Sequence, residues 1–242
     1  MSYVPVAKSA SQSSPRQADG ALTLAGADLH ADVAGALYWP EQGMLAVADL
    51  HLEKGSSFAA RGVLLPPYDT AATLARLGAL VARYAPRLVV ALGDSFHDGR
   101  GPARLADTDR ATLKAMQRGR DWIWIAGNHD PEPADNIGGR FLPELRIAAL
   151  TFRHEPGGED TGVIAGHLHP VARVARRGRA VSRRCFASDG VRLVMPAFGA
   201  YTGGLNVRDR AFANVFETLA FTAHMLGLER VYAVAAKHCL PD

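Results

Sequence analysis

The sequence contains little cysteine and no long apolar run. Only two of its 242 residues are cysteine, and Cys185 and Cys239 stand in no metal-binding or redox spacing. We therefore expect two reduced thiols, and neither a disulfide framework nor a zinc–thiolate site. No apolar run approaches the ~20 residues that a membrane-spanning helix needs. Residues 1–20 lack the apolar segment of a signal peptide, which favours a cytoplasmic protein.

The sequence also lacks a strong excess of charge of either sign. Its 27 Lys and Arg residues against 24 Asp and Glu residues give a formal net charge of +3. So weak an excess permits an anionic substrate without demanding one. Residues 1–20 are rich in Ser, Gln, Ala and Pro and predict a disordered tail. The remaining residues, 21–242, show no internal repeat or linker and predict a single domain.

Four short apolar runs share one feature, because each is followed at once by side chains that bind metal ions. Apolar runs of this length predict buried strands. Polar residues at the carboxyl ends of strands are how α/β sheets build sites. The runs and the residues that follow them are 45–48 before Asp49 and His51, 88–92 before Asp94, 122–126 before Asn128, His129 and Asp130, and 163–165 before His167 and His169.

The first half of the chain predicts a parallel sheet covered by helices. After a first hairpin within 21–39, strands at 44–48, 88–92 and 122–126 alternate with two helical patterns. One helix is capped by Asp69 or Thr70 and runs through Val81, and the other spans roughly 103–118. The order β-α-β-α-β is typical of an α/β domain. The stretch 53–67 has no apolar period and predicts a long connection.

The second half predicts short strands with tight connections, as in an antiparallel region. Residues 207–227 are expected to hold one more helix. The predicted strands are 146–152, 162–165, 170–175, 180–186, 191–195 and 230–236.

The candidate ligands favour a two-metal hydrolase. Mixed oxygen and nitrogen donors suit Mn, Fe, Zn or Co better than Ca, which prefers oxygen alone. Two such cations clamp a phosphate oxygen and lower the pKa of a bound water, which yields a hydroxide for in-line attack. His129, beside Asn128, is placed to transfer a proton to the leaving oxygen, and Asp130 to orient its ring. The candidate ligands are Asp49, His51, Asp94, Asn128, His154, His167 and His169.

These motifs resemble those of the calcineurin-like metallophosphoesterase superfamily. The resemblance rests on Asp49-x-His51, Gly93-Asp94, Gly127-Asn128-His129-Asp130, a later isolated histidine and Gly166-His167-x-His169. It implies a four-layer α/β/β/α sandwich with mixed sheets and a binuclear metal centre. In that centre His129 is the catalytic histidine and Asp94 bridges the metals. One metal takes Asp49, His51 and His169, and the other takes Asn128, His154 and His167.

Within the superfamily, three segments resemble the bacterial ligase-associated PdeM phosphoesterases: 48–55, 92–98 and 196–205. This resemblance implies a DNA-repair phosphodiesterase or endonuclease, with an ATP-dependent DNA ligase and a helicase as partners. Among the metals that suit the donors, we expect Mn²⁺, with Fe, Zn or Co as alternatives. A small-molecule or cyclic-nucleotide phosphodiesterase is the alternative. A non-catalytic repair scaffold is disfavoured, because Asp94, Asn128 and His129 are all present.

The type of ester is indicated by arginines that are missing after two of the motifs. Phosphoprotein phosphatases of this superfamily carry an arginine closely after both the Gly-Asp and the Gly-Asn-His motifs, to grip a dianionic monoester. Here Gly93-Asp94 is followed by Ser95-Phe96-His97, and Gly127-Asn128-His129-Asp130 by Pro131-Glu132. A monoanionic diester needs fewer cationic contacts, so the sequence favours diester cleavage.

Five further residues are candidates for substrate contact. His97 also resembles the histidine in the corresponding motif of double-strand-break repair nucleases. The alternative interpretation of His97 is a structural histidine. Lys54 and Arg61 stand in the long connection. Arg173 and Arg176 belong to an arginine cluster at 173–184. A hairpin turn at Gly178 would bring its guanidinium groups to the catalytic face for phosphate contact. The alternative interpretation of this arginine cluster is a solvated surface hairpin.

Overall fold

Two β-sheets stacked face to face carry the fold. The computed structural model describes residues 19–132, 134–157 and 160–242, so the predicted disordered tail at 1–20 lies almost wholly outside the described residues. The first sheet runs in chain order, antiparallel from its first to its fourth strand and parallel from there to its seventh. Its strands are β1 Ala21–Leu24, β2 Ala27–Ala31, β3 Leu37–Trp39, β4 Met44–Ala48, β5 Leu88–Leu92, β6 Asp121–Ile125 and β7 Arg140–Leu142.

Four α-helices connect the parallel strands of this sheet. They are α1 Lys54–Ala59, α2 Asp69–Tyr84, α3 Gly101–Arg104 and α4 Asp107–Gln117. Within the described residues no helix has the length and hydropathy that a membrane crossing demands.

The second sheet is formed by the carboxyl-terminal half and mixes parallel with antiparallel pairs. The path β14-β11-β12-β13-β10-β9-β8 is extended at β12 by the β15–β16 hairpin. Two 3₁₀ helices, η1 Arg210–Asn214 and η2 Ala236–His238, accompany it. The strands are β8 Glu144–Ile147, β9 Leu150–Arg153, β10 Val163–Ala165, β11 Pro170–Arg176, β12 Arg179–Ser188, β13 Arg192–Val194, β14 Leu205–Asn206, β15 Thr222–Leu226 and β16 Val231–Ala235.

Strand alternation divides the apolar side chains among three cores. On β4, Met44 and Ala46 face the second sheet and pack with Phe152, whereas Leu45 faces α2 and packs with Leu77. A third core lies on the outer face of the second sheet. There Phe212, Phe216 and Phe221 cover Cys185 and Ala187. The layers are therefore helices, sheet, sheet and a cover of 3₁₀ helix and irregular chain, and the predicted sandwich with mixed sheets is confirmed.

The predictions for the parallel half need three corrections. The helix predicted at 103–118 is two helices, α3 and α4, because the backbone is extended at Leu105 and Ala106. The connection 53–67 contains α1, which is too short for an apolar period to reveal it. Asp69 and Thr70 do not cap α2, because they accept hydrogen bonds from the backbone of the segment leading into α1.

The carboxyl-terminal half differs from its prediction in three places. Residues 146–152 are no single strand, because the chain turns at Ala148 between β8 and β9. The region is mixed and not purely antiparallel, since β10 is parallel to both β9 and β13. Residues 207–227 hold η1 and β15 in place of an α-helix, because their phenylalanines pack as a cover on the sheet. The predicted turn at Gly178 is confirmed.

Candidate metal centre

The candidate ligands lie where β4, β5, β6, β9 and β10 end, on one rim of the sandwich. The chain leaves three of these strands through left-handed backbone, at Asp49 (φ 52°), Asp94 (φ 44°) and His167 (φ 69°). His51 and His169 have positive φ as well. Non-glycine residues rarely adopt this conformation, which costs roughly 1–3 kcal/mol each and clusters at functional sites. The backbone therefore stores strain at the residues that the sequence singled out.

Three glycines allow these strand ends to approach one another, because glycine has no side chain. A Cβ at Gly93 would lie 2.3 Å from His154 Nδ1, and one at Gly127 would lie 2.1 Å from the Asp94 backbone nitrogen. A Cβ at Gly166 would come within 2.5 Å of the Asp49 carboxylate. Each glycine thus makes room for a candidate ligand from another strand.

One group of donor atoms is formed by Asp49, His51 and His169. One ligand atom of each lies within 4.8 Å of the other two. His169 Nε2 is 3.3 Å from Asp49 Oδ1 and 3.4 Å from His51 Nε2. Asp49 and His51 are buried and His169 is partly exposed, so the group opens to solvent on one side.

A second group gathers around His154. His154 Nε2 lies 2.9 Å from Asn128 Oδ1, 3.1 Å from His167 Nδ1 and 3.5 Å from Asp94 Oδ1. The Nδ1–H of His154 donates to the Leu92 carbonyl at 3.1 Å, which leaves Nε2 free to bind a metal. The fold therefore places His154, which was predicted from a short local motif, among the other candidate ligands.

Asp94 lies between the two groups. Its Oδ1 faces His154, and its Oδ2 lies 3.8 Å from His51 Nε2. Asp49 also reaches both groups, because its Oδ1 is 3.3 Å from His169 Nε2 and 3.8 Å from His154 Nδ1. Both carboxylates accept backbone hydrogen bonds as well, Asp94 from His129 and Asp49 from His167.

The donor set fits two divalent cations. Asp49 and Asp94 are 0% and 3% exposed, and within the described residues neither carboxylate forms an ion pair with a lysine or arginine. Buried carboxylates without a cationic partner are costly, so the site calls for cations that the chain itself does not supply. Burial, reinforced by His169, His129, His97 and Lys54, lowers the pKa of His51 to about 2. Its ring is therefore neutral and able to bind a metal.

His129 stands at the open side of this cluster. Its Nε2 lies 3.9 Å from Asp94 Oδ2, and its side chain is 40% exposed. The Nδ1–H donates to the backbone carbonyl of His97 at 2.9 Å. The partner that orients the ring is thus this carbonyl, and not the Asp130 carboxylate predicted for the role.

Asp130 has a different function in the fold. Its Oδ2 accepts a hydrogen bond from the Phe96 backbone nitrogen at 3.0 Å, and the residue is 6% exposed. Burial raises the pKa of Asp130 to about 7, against hydrogen bonds from the backbone that lower it. Through its hydrogen bond with Phe96, the carboxyl group fastens the segment after β5 to the segment after β6, beneath the centre.

Among the predicted substrate contacts, three lie beside the centre. His97 Nδ1 is 3.4 Å from His51 Nδ1, and the ring of His97 stacks on that of His129 with centroids 5.4 Å apart. Lys54 and Arg61 lie on and just after α1, around the ring of Phe58.

The arginine hairpin is divided between the two faces of its sheet. The β11–β12 register puts Arg173 on one face, with Arg184, and Arg176 on the other, with Arg179 and Arg183. The second face is the one that carries the outer core. Arg173 Nη1 donates to the Pro241 carbonyl at 3.0 Å, at the carboxyl terminus. The structure therefore does not gather Arg173 and Arg176 at the candidate ligands.

Sequence reasoning missed one cation of the site. A cleft of about 460 Å³ opens beside Asn128 and His154, and Arg153 lines it together with Glu155. Arg153 Nη1 lies 3.4 Å from Asp160 Oδ2, and its Nε and Nη2 are buried without a partner among the described residues. Its place directly before a candidate ligand is the signal by which it could have been found. Phe58 gave no such signal, because α1 was not predicted.

Comparison with known proteins agrees with this geometry. The family model described as calcineurin-like phosphoesterase matches residues 44–184, a span that contains every candidate metal ligand. The crystal structure of Pseudomonas putida nuclease MPE is 30% identical in sequence, with a TM-score of 0.68, and the match covers 88% of this chain and 98% of that one. The E. coli phosphoesterase Yfce is 15% identical, with a TM-score of 0.38 and coverage of 80% and 98%. No curated protein matches.

The matched span exceeds half of the chain, and it includes the four strand ends and both groups of donor atoms. The chain therefore belongs to the calcineurin-like phosphoesterase family and is a metal-dependent phosphoesterase.

Proposed function

We propose that this enzyme is a nuclease that hydrolyses the phosphodiester bonds of DNA. The observation that carries the proposal is the position of His129. Its Nε2 faces the shared carboxylate of Asp94 at 3.9 Å, on the exposed side of the candidate ligands. A proton donor there has access to an extended substrate lying across the rim of the sandwich.

Two divalent cations, with Mn²⁺ the preferred metal, would be held by the chain's own donors. When bound, such cations polarise the phosphoryl oxygens and lower the pKa of a bound water. One site would take Asp49, His51 and His169, the other Asn128, His154 and His167, with Asp94 shared between them.

His129 would deliver a proton to the leaving oxygen. The carbonyl of His97 accepts a hydrogen bond from Nδ1–H, which leaves Nε2–H to be transferred. Transfer at this position neutralises the alkoxide as the phosphorus–oxygen bond breaks. Asp130 would act indirectly, by holding the two loops that carry Asp94 and His129.

The distribution of cations favours a diester. Arg100, the first arginine after Asp94, is exposed. Arg153 lines the cleft, but its charge is shared with Asp160 at 3.4 Å. Within this cleft, a single, partly neutralised guanidinium suits the one charge of a diester better than the two charges of a monoester.

The likeness to the Pseudomonas putida nuclease, at 30% identity over 88% of this chain, supports a nucleic acid as substrate. The sequence resemblance to the ligase-associated phosphoesterases extends the proposal to DNA repair, beside an ATP-dependent DNA ligase and a helicase. Cys185 and Cys239 are free thiols, which is in keeping with a reducing compartment such as the cytoplasm.

Hydrolysis of two aryl esters tests the proposal. Protein stripped of metal and reloaded with Mn²⁺ is assayed on bis(4-nitrophenyl) phosphate and on 4-nitrophenyl phosphate, and then on supercoiled plasmid. We expect a higher kcat/KM for the diester, and nicking of the plasmid. Preference for the monoester would overturn the diesterase proposal. Hydrolysis of cyclic nucleotides without cleavage of DNA would replace the nuclease by a small-molecule phosphodiesterase.

A further inference from the structure

Helix α1 holds an aromatic ring beside the metal centre. The Phe58 ring lies 5.6 Å from that of His97, and His97 in turn stacks on His129 at 5.4 Å between centroids. Phe58 is only partly buried and belongs to none of the three apolar cores. Its ring is therefore partly open to solvent and is separated from the proposed proton donor by one imidazole.

Two cations lie over this ring. Lys54 Nζ lies 5.8 Å from the ring centroid, and Arg61 Cζ lies 5.3 Å from it. Lys54 donates a hydrogen bond to the Tyr201 carbonyl, and Arg61 donates one to Ser57 Oγ. Over residues 19–132, 134–157 and 160–242, neither forms an ion pair with a carboxylate. The two positive charges thus remain available to an anion from outside the chain.

The start of α1 is firmly fixed. The Glu53 backbone nitrogen donates to Thr70 Oγ1 at 2.9 Å, and the Glu53 carboxylate accepts from Thr70 at 2.9 Å and from Ser56 at 2.6 Å. The Gly55 nitrogen donates to Asp69 Oδ2 at 3.1 Å. Because these contacts hold the helix in place, the ring and its cations are preorganised for a ligand, and ordering them on binding costs little.

We propose that Phe58, Lys54 and Arg61 form a subsite for the nucleoside on the leaving side of the scissile phosphate. The base stacks on the exposed part of the ring, and the next phosphate along the strand lies between the two cations. The leaving side follows from the contact chain, because the proton donor His129 lies nearest the leaving oxygen and His97 links it to Phe58. This inference rests on the proposed nuclease function.

A single-stranded oligothymidylate with one internal tetrahydrofuran residue tests the subsite in the metal-loaded, full-length enzyme. This residue lacks a base. The cleavage rate of each phosphodiester bond next to it is compared with the rate at the same bond of the unmodified strand. The chemical ends of the products identify the leaving side. At the bond whose leaving nucleoside is abasic, we expect the wild type to cleave about tenfold more slowly than at the same bond of the unmodified strand. This factor is in line with the stacking energy of one base.

Two variants assign this discrimination to the ring. Phe58→Leu keeps an apolar side chain of similar size and should reduce the discrimination to about twofold or less, whereas Phe58→Trp should retain it. Because the comparison is made within one strand, a general loss of activity does not alter it. Tyr232→Leu, which removes an exposed aromatic ring on β16, serves as the control and should behave as the wild type.

The inference is overturned if Phe58→Leu and the wild type give the same pattern, or if the wild type shows no discrimination. An enzyme that hydrolyses the aryl diester and leaves the oligothymidylate intact would also overturn it, while diesterase activity stands. Inactivity toward both substrates would overturn the proposed function itself.

Discussion

The Nδ1 atom of His129 lies 2.9 Å from the backbone carbonyl oxygen of His97. This contact assigns the Nδ1 proton and directs Nε2 toward Asp94, 3.9 Å away. The ring of the proposed proton donor is thus oriented by the main chain, and no substitution of a neighbouring side chain removes this contact directly. The consequence is that the function of this histidine can be tested by replacing His129 alone.

We expect His129→Ala to lower kcat by about 10²–10⁴-fold for a diester with an alkyl leaving group. The loss should be much smaller for a 4-nitrophenyl leaving group, because 4-nitrophenolate departs without protonation. Steady-state kinetics on both esters measure the difference. His238→Ala changes an exposed histidine outside the centre and serves as the control. Equal losses on the two esters would contradict proton donation by His129.

Asp94→Asn should affect the loaded and the metal-free protein in opposite directions. Removing the carboxylate that lies between the two donor groups should lower the bound metal measured by mass spectrometry, and abolish activity. Without metal, two buried carboxylates that lack lysine or arginine partners oppose folding, so the variant should melt at a higher temperature than the metal-free wild type. Asp28→Asn, at an exposed aspartate, is the control and should alter neither property.

Gly93→Ala should disable the second donor group without unfolding the protein. The new Cβ would lie 2.3 Å from His154 Nδ1, at a backbone φ of 69° that alanine tolerates poorly. We expect weaker metal binding and at least a tenfold loss of kcat/KM in Mn²⁺ titrations. Gly99→Ala is the matched control, because a Cβ there meets no atom within 4 Å. Comparable losses in both variants would contradict the steric explanation.

Arg153→Gln should weaken binding of the diester more than it slows catalysis. The guanidinium lines the cleft beside Asn128, and its Nε and Nη2 have no partner among the described residues. A lost charge-assisted hydrogen bond of about 1.5–3 kcal/mol corresponds to a rise in KM of roughly tenfold to a hundredfold. Arg146→Gln, which breaks an exposed pair with Glu144, should leave KM unchanged. A fall in kcat at constant KM would exclude a binding role for Arg153.

Most of the candidate centre could be predicted from the sequence, because its candidate ligands follow directly from strand ends. The apolar runs before Asp49, Asp94 and Asn128 form adjacent parallel strands, so these residues had to meet at one edge. His154 and His167 come from the second sheet, and no local pattern brings the two sheets together. The strand-end pattern marked His167 as a candidate ligand, but only the family resemblance assigned it and His154 to the same metal.

The errors of the sequence reading have a common origin in contacts between distant segments. Asp130 follows His129 in the chain, but its carboxylate turns to the Phe96 backbone from another strand end. The arginines at 173–184 form a dense cluster in sequence, yet the period of two in a strand sends them to opposite faces. Helix α1 is short and is held by Thr70 and Asp69, so its own sequence carries little periodicity.

The pair Tyr84 and Asp32 provides a test of the fold that is independent of the metal centre. The hydroxyl of Tyr84 donates to the buried Asp32 carboxylate at 2.6 Å, beside Arg83 at 3.0 Å. Burial, followed by this hydrogen bond and the charge of Asp32, raises the pKa of Tyr84 above its ordinary value near 10. The stabilisation is therefore complete below pH 10 and is lost as the pH rises beyond it.

Tyr84→Phe should lower the free energy of unfolding by about 1 kcal/mol at pH 7, since the ring is partly exposed and the acceptor is charged. The difference from the wild type should stay constant from pH 7 to pH 9 and shrink above pH 10, as urea titrations at several pH values would measure. Tyr38→Phe is the control, because its ring stacks on Tyr84 at 4.5 Å between centroids and its loss leaves the bond to Asp32 intact. A difference that grows above pH 10 would contradict the raised pKa of Tyr84, and with it the hydrogen bond as its cause.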